Sequence, residues 1–162
     1  MAVKSKPVTT LTMPSDRELV ITTVFDAPRR LVFEASTKPE HVKRWWGPRR
    51  FTMTLCEIDL RPGGAWRYVL RDNSTGREDA WSGVYREIVP PGRVVNTEGW
   101  EAMPGHYHLV TTTFDERDGK TTVTSRLLYE SVDDRDGHLQ SGMESGMRES
   151  IDRLGELLTT LA

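Results

Sequence analysis

The chain ends on a periodic apolar stripe. Leu139, Met143, Met147, Ile151, Leu154, Leu158 and Leu161 recur at intervals of three and four residues, which is one face of an α-helix. The spacing predicts a single helix from Asp134 to Leu161, roughly 40 Å long at about 1.5 Å per residue. A stripe of that length needs a broad apolar surface to cover it. Residues 50–130 supply one, as successive segments rich in Thr, Val, Trp and Tyr separated by Pro and Gly turns. The expected fold class is α+β: a curved antiparallel sheet wrapped around one long C-terminal helix, with an internal cavity between the two.

A chain of 162 residues is long enough for one domain with a real core. Residues 1–15 mix Thr, Ser, Lys and Pro without a period and read as a flexible N-terminal arm, leaving residues 16–162 as the single domain. The formal net charge of -2 and the lack of a polybasic run exclude nucleic acid as an expected partner. The start carries no apolar leader block, and nowhere do 18 apolar residues follow one another, so membrane insertion is not expected. Cys56 is the one cysteine. With no internal disulfide to form, it fits a cytoplasmic location, and its strand-like setting reads as a buried small hydrophobe rather than a reactive thiol.

Seven strands can be read along the domain. The first runs from Arg17 to Phe25, with Leu19, Ile21 and Phe25 on one side and Val20 and Val24 on the other. Two short helices follow. Asp26 is expected to cap the first, which runs through Ala35 with Pro28 in its opening turn, and Thr37 with Glu40 has the spacing of a capping box for the second, ending at Gly47-Pro48. Six strands come next, Phe51–Asp59, Gly64–Arg71, Ala80–Ile88, Arg93–Glu101, His106–Glu116 and Lys120–Glu130. Asp118-Gly119 is the tightest hairpin signal among their turns. The order is β-α-α-β6-α.

This order carries distinctive words: Lys38-Pro39-Glu40-His41-Val42-Lys43-Arg44-Trp45-Trp46-Gly47-Pro48, Pro62-Gly63-Gly64-Ala65-Trp66-Arg67 and Gly83-Val84-Tyr85-Arg86-Glu87-Ile88-Val89-Pro90-Pro91. The ending runs from Ser141-Gly142-Met143-Glu144-Ser145-Gly146-Met147 through Asp152-Arg153-Leu154-Gly155-Glu156-Leu157-Leu158. Together they resemble the START-like helix-grip superfamily, which includes the birch-pollen allergen and the steroidogenic-acute-regulatory lipid-transfer domains. They are most similar to its bacterial branch related to the activator of the heat-shock-90 ATPase. The resemblance covers about Arg17 to Leu161. It implies a helix-grip fold and a small apolar or aromatic ligand held between the sheet and Leu139–Leu161. A chaperone is the alternative partner that the name of the branch suggests.

The candidate lining follows from strand parity. Trp66 and Tyr68 share a face, since Arg67 and Arg71 belong in solvent, and Trp81 and Trp100 are candidates for the same wall. Trp45-Trp46 sits at the end of a short helix, where Trp46 can close one mouth of a cavity or serve as a packing wedge. His106 and His108 share a strand face, and Glu98 lies one strand away. These three and Tyr68 can orient the polar end of a ligand, and a His, Glu or Tyr in the cavity can supply a general acid or base in a cyclase, dehydratase or hydrolase-like enzyme. Met143 and Met147 are adaptable lining on the helix, with Gly142 and Gly146 giving close approach or room beside them. Neither a metal nor an organic cofactor is expected, because no ligand set, phosphate loop or dinucleotide fingerprint occurs. An exposed edge strand or the Trp45-Trp46 corner leaves both a monomer and a homodimer open.

Overall fold

The computed structural model describes residues 6–161. Eight strands form one curved, unclosed antiparallel sheet: β1 Val8–Thr12, β2 Glu18–Phe25, β3 Phe51–Ile58, β4 Ala65–Asp72, β5 Glu78–Val89, β6 Arg93–Trp100, β7 Tyr107–Arg117 and β8 Lys120–Leu128. Their order across the sheet is β1-β2-β8-β7-β6-β5-β4-β3. Short helices α1 (Arg29–Thr37) and α2 (Pro39–Val42) connect β2 to β3, and α3 (Val132–Gln140) and α4 (Met143–Leu161) follow β8. The α+β class and the helix-grip arrangement are those expected. Among the described residues no helix is long and apolar enough to cross a membrane.

Three expectations are corrected. Part of the N-terminal arm is an eighth strand, because Val8–Thr12 pair in register with Val20–Val24 at the sheet edge. Residues 1–5 of that arm lie outside the described residues. The long helix is two helices. Gly142 adopts φ +83°, a left-handed conformation that glycine reaches without steric cost, and the chain turns there between α3 and α4. An alanine Cβ at Gly142 would meet nothing within 4 Å, so its backbone conformation, rather than close approach to the sheet, explains the glycine. Finally, the helix caps differ. α1 starts after Pro28 without a side-chain cap, and Thr37 turns its hydroxyl back onto the Phe33 carbonyl at 2.8 Å instead of capping α2, whose N-cap is Lys38.

The core occupies the concave side of the sheet. Leu19, Ile21 and Phe25 are buried there on β2, while Val24 on the opposite face is exposed. Phe114 meets Phe33 edge-on at 5.3 Å between ring centroids, which seats α1 on β7. Leu154, Leu157 and Leu158 bury the C-terminal half of α4. Its polar side holds the loop after α2: Arg153 donates to the carbonyls of Gly47 at 2.7 Å and Arg44 at 2.9 Å, and the Gly47 N–H donates to Ser150 Oγ at 2.9 Å. At the hairpin between β7 and β8, Asp118 and Gly119 take φ of 54° and 75°, the paired positive values of a tight two-residue turn.

Candidate functional site

Register fixes which side chains meet on the concave face. Counting back from the Asp118-Gly119 turn sets His108 on β7 across from Tyr129, just past the end of β8, and β6 pairs Glu98 with His108. A polar row therefore crosses the sheet. The carboxylate can only accept, so His108 donates through Nε2 to Glu98 Oε2 at 2.8 Å. That bond assigns the Nε2–H to His108 and leaves Nδ1 as the ring nitrogen not engaged by Glu98.

α3 adds the fourth member. Ser131 caps the helix by accepting the Asp134 N–H at 3.0 Å, and one turn later His138 faces the sheet. Tyr129 shares a short hydrogen bond between its hydroxyl and His138 Nδ1. The ring of His108 lies 4.7 Å from that of Tyr129 and 5.4 Å from that of His138. His106 is not part of this group. It precedes β7, is half exposed, and its Nδ1 pairs with Asp134 Oδ1 at 3.0 Å, so the two histidines expected to look into one space are split between loop and interior. Tyr129 and His138 were not among the expected site residues, although two spacings point to them. His106 and His108 are two apart on an extended segment, while Asp134 and His138 are four apart on a helix, so each histidine of the first pair meets one residue of the second.

The backbone beside Glu98 is irregular. Ladder pairing between β5 and β6 skips Gly83 and Val84, and the Thr97 carbonyl turns toward the concave side. There it accepts Trp66 Nε1 at 3.1 Å and Asn96 Nδ2 at 3.1 Å, and Thr97 Oγ1 accepts the Val84 N–H at 2.9 Å. Side chains thus replace the missing ladder bonds, as a sheltered backbone carbonyl requires.

The aromatic candidates gather at the β3–β5 side. Trp66 and Tyr68 are buried, with ring centroids 4.6 Å apart. Half-buried Trp46 packs edge-on against Tyr68 at 5.0 Å and Trp81 at 5.4 Å. Trp100 stands across from Trp81 at the strand end, 38% exposed, with Nε1 donating to Asp79 Oδ1 at 3.2 Å. Met143 and Met147 are half-buried and pack near Leu19, Ile21, Leu127 and Tyr129. Between these two groups the middle of the concave face stays partly accessible: Asn96, Val110, Thr112 and Ser125 are only half-buried, although they sit on central strands. Cys56 packs partly against the aromatic core, and burial pushes its thiol up to about 11, which keeps it protonated and unreactive near neutrality.

Two surface depressions lie elsewhere. One of about 480 Å³ is bounded by Pro39, Glu40, Lys43 and Met53–Cys56, and one of about 260 Å³ lies between Pro7-Val8, the end of β2 and α4. Neither reaches the polar row. Among the described residues no three His, Cys, Asp or Glu side chains are grouped to hold a metal ion.

Titration follows from these surroundings. Burial alone would raise the Glu98 carboxyl. The hydrogen bond from His108, and the charges that His108 and His138 acquire in acid, outweigh burial and hold it below the usual carboxylate range. Burial lowers His138, and the Glu98 charge only partly offsets this. A histidine lowered in the folded state takes up its proton more readily when unfolded, so stability falls as pH drops below about 6.5. Glu98 contributes in the same direction at lower pH, since its stabilisation is lost as pH falls through its depressed pKa. The melting temperature should therefore decline from neutral toward mildly acidic pH, and His138→Gln should flatten the first part of that decline in scanning fluorimetry. An unchanged slope in the variant would remove His138 as the group responsible.

A family model described as activator of Hsp90 ATPase homolog 1-like protein matches residues 26–159. No curated protein matches the chain. Among solved structures, a protein of Rhodobacter sphaeroides is 25% identical with a TM-score of 0.88, covering 94% of this chain and 99% of that one. Protein Ms6760 from Mycobacterium smegmatis is 25% identical with a TM-score of 0.83, covering 93% and 97% respectively. Protein NE0264 from Nitrosomonas europaea shares the fold, at 24% identity and a TM-score of 0.82 over 91% of this chain and 97% of its own.

Proposed function

This chain belongs to the family of activator of Hsp90 ATPase homolog 1-like proteins, and from that premise we propose that it binds a small apolar or aromatic molecule between the concave face of its sheet and the segment Leu139–Leu161. The observation that carries this reading is the accessible middle of the concave face with a Glu98–His108 pair at its head. A core packed only for stability shuts the inward positions of central strands and keeps charges out of them. Here Val110, Thr112 and Ser125 stay partly open beside a charged pair. Apolar contact with Met143, Met147 and Val110 would supply affinity, and Glu98 and His108 would orient the polar end. Trp46, Trp66, Tyr68 and Trp81 would form a fixed aromatic wall, with Trp100 and His106 at the rim.

The test uses the neutral apolar dye Nile red. Its fluorescence should rise on binding the wild-type protein and fail to rise with Met147→Trp, whose indole fills the space beside Val110. Circular dichroism and the melting temperature should show that variant folded. Dye binding that survives Met147→Trp in a folded protein places the ligand elsewhere. Native mass spectrometry of freshly purified protein then identifies any molecule carried through purification.

The Glu98–His108 bond favours a second reading, as an enzyme. An imidazole whose Nε2–H is held by a carboxylate is oriented to act as a general base through Nδ1. Under this reading a molecule released from the protein is converted by the wild type and left unchanged by His108→Gln. A chaperone partner rests on the family match alone, and is tested by co-purification with the heat-shock-90 chaperone and an ATPase assay.

A further inference from the structure

We infer that Glu98 selects the class of ligand: an apolar or aromatic body carrying a hydrogen-bond donor, as an alcohol, a phenol or an amine, in preference to a carboxylate on the same body. This rests on the reading that the concave face is the binding site. Glu98 Oε2 is committed to His108 Nε2–H at 2.8 Å, whereas Oε1 has no protein hydrogen bond among the described residues. No buried side-chain oxygen is left without a partner there, and about 22% of the Glu98 side chain is exposed, so Oε1 faces accessible space rather than a sealed void.

An ionised carboxylate oxygen can only accept a hydrogen bond. A ligand group that reaches Oε1 must therefore bring its own hydrogen. This holds for either protonation state of His108, because Nε2–H donates to Oε2 in both.

The surroundings add a charge argument. Among the described residues no lysine or arginine forms an ion pair with Glu98. Its other neighbours in the row are Tyr129 and His138, which share a hydrogen bond with each other. Burial lowers His138, so it is neutral near pH 7 and brings no positive charge to an incoming anion. The Arg135 guanidinium acts on Tyr129 but is already engaged by Asp136 and by the Ser15 carbonyl, so a carboxylate ligand would set a second negative charge beside Glu98 in a sheltered site whose neighbouring guanidinium is taken. A hydroxyl would instead complete the coordination of Oε1, and an ammonium would do so with charge assistance.

Three probes with one naphthalene body separate the possibilities: 2-naphthylmethanol, 2-naphthylmethylamine and 2-naphthoate, each titrated against bound Nile red at pH 7. The alcohol and the amine should displace the dye at concentrations at least about tenfold below that of the naphthoate, the range expected for a hydrogen bond to a charged group. In Glu98→Gln the side chain keeps its shape and its carbonyl still accepts from His108, so the protein should fold and bind Nile red. The amide NH2 then stands where Oε1 stood and donates rather than accepts, so the naphthoate should displace the dye at least as well as the amine.

Naphthoate displacing the dye as well as the alcohol and the amine overturns the inference. So does a preference that persists in Glu98→Gln, or a bound dye that none of the three displaces, and in these cases the binding site itself still stands. Failure of Nile red to bind the wild-type protein overturns both.

Discussion

Replacing Gly83 with alanine is expected to destabilise the protein by about 4 kcal/mol, at the upper end of what single substitutions do. A Cβ built on Gly83 lies 1.8 Å from the Thr97 carbonyl oxygen and 2.7 Å from Trp66 Nε1. The first contact is with backbone, which cannot swing aside as a side-chain tip can. To admit the methyl group the Thr97 peptide must rotate, and the rotation removes the oxygen from both Trp66 Nε1 and Asn96 Nδ2. The cost thus combines overpacking with two side-chain donors left unsatisfied in a sheltered place. Urea denaturation followed by fluorescence checks this, and a midpoint within error of the wild type would show that the Thr97 carbonyl is not held as described.

Arg153→Ala is the second large effect, with an expected loss of about 2–3 kcal/mol. One guanidinium serves the carbonyls of Arg44, Gly47 and Pro48, at 2.9, 2.7 and 3.4 Å. Burial lowers the Arg153 pKa but leaves the group charged, so these are charge-assisted bonds to carbonyls at the end of a short helix. Truncation frees the loop that carries Trp46, and that ring should come away from Tyr68 and Trp81. Arg153→Lys should recover only part of the loss, because an ammonium cannot span three acceptors that a planar fork reaches. The readouts are the denaturation midpoint and the emission maximum of the native state, which should shift to the red as Trp46 gains water. An Arg153→Ala protein with wild-type midpoint and emission would show that α4 does not hold the loop through this residue.

These two residues mark where local pattern stops being informative. The strands from β2 to β8 are visible as alternation bounded by turn residues, and the Asp118-Gly119 hairpin sets the register that brings His108 opposite Tyr129. Trp66 and Tyr68 face inward as Arg67 and Arg71 face water, which parity alone requires. β1 was hidden for a physical reason. Its sequence, Val8-Thr9-Thr10-Leu11-Thr12, has strand-forming residues but little apolar alternation, and it is held by a partner strand rather than by burial. The break at Gly142 was hidden because the apolar stripe continues across it: Leu139 and Met143 fall on one face whether or not the backbone turns between them. His138 and Tyr129 are not legible as site residues in the sequence, because their significance lies in a contact between the end of β8 and a separate helix. The Thr97 peptide has no signature in residue types, since its conformation is set by Gly83 from one strand and Trp66 from another.

The guanidinium of Arg148 donates to the carbonyl of Thr9 at 3.0 Å, so α4 places a positive side chain on the backbone of the outermost strand, β1. A free strand edge is a template for adding further strands, and an open sheet has two of them. If both edges of every copy were receptive, β1 of one molecule could join β3 of the next, and the head-to-tail contact would repeat without closing into a fibre. The arginine takes up the Thr9 carbonyl, so a further strand that used this acceptor along β1 would first have to displace the guanidinium.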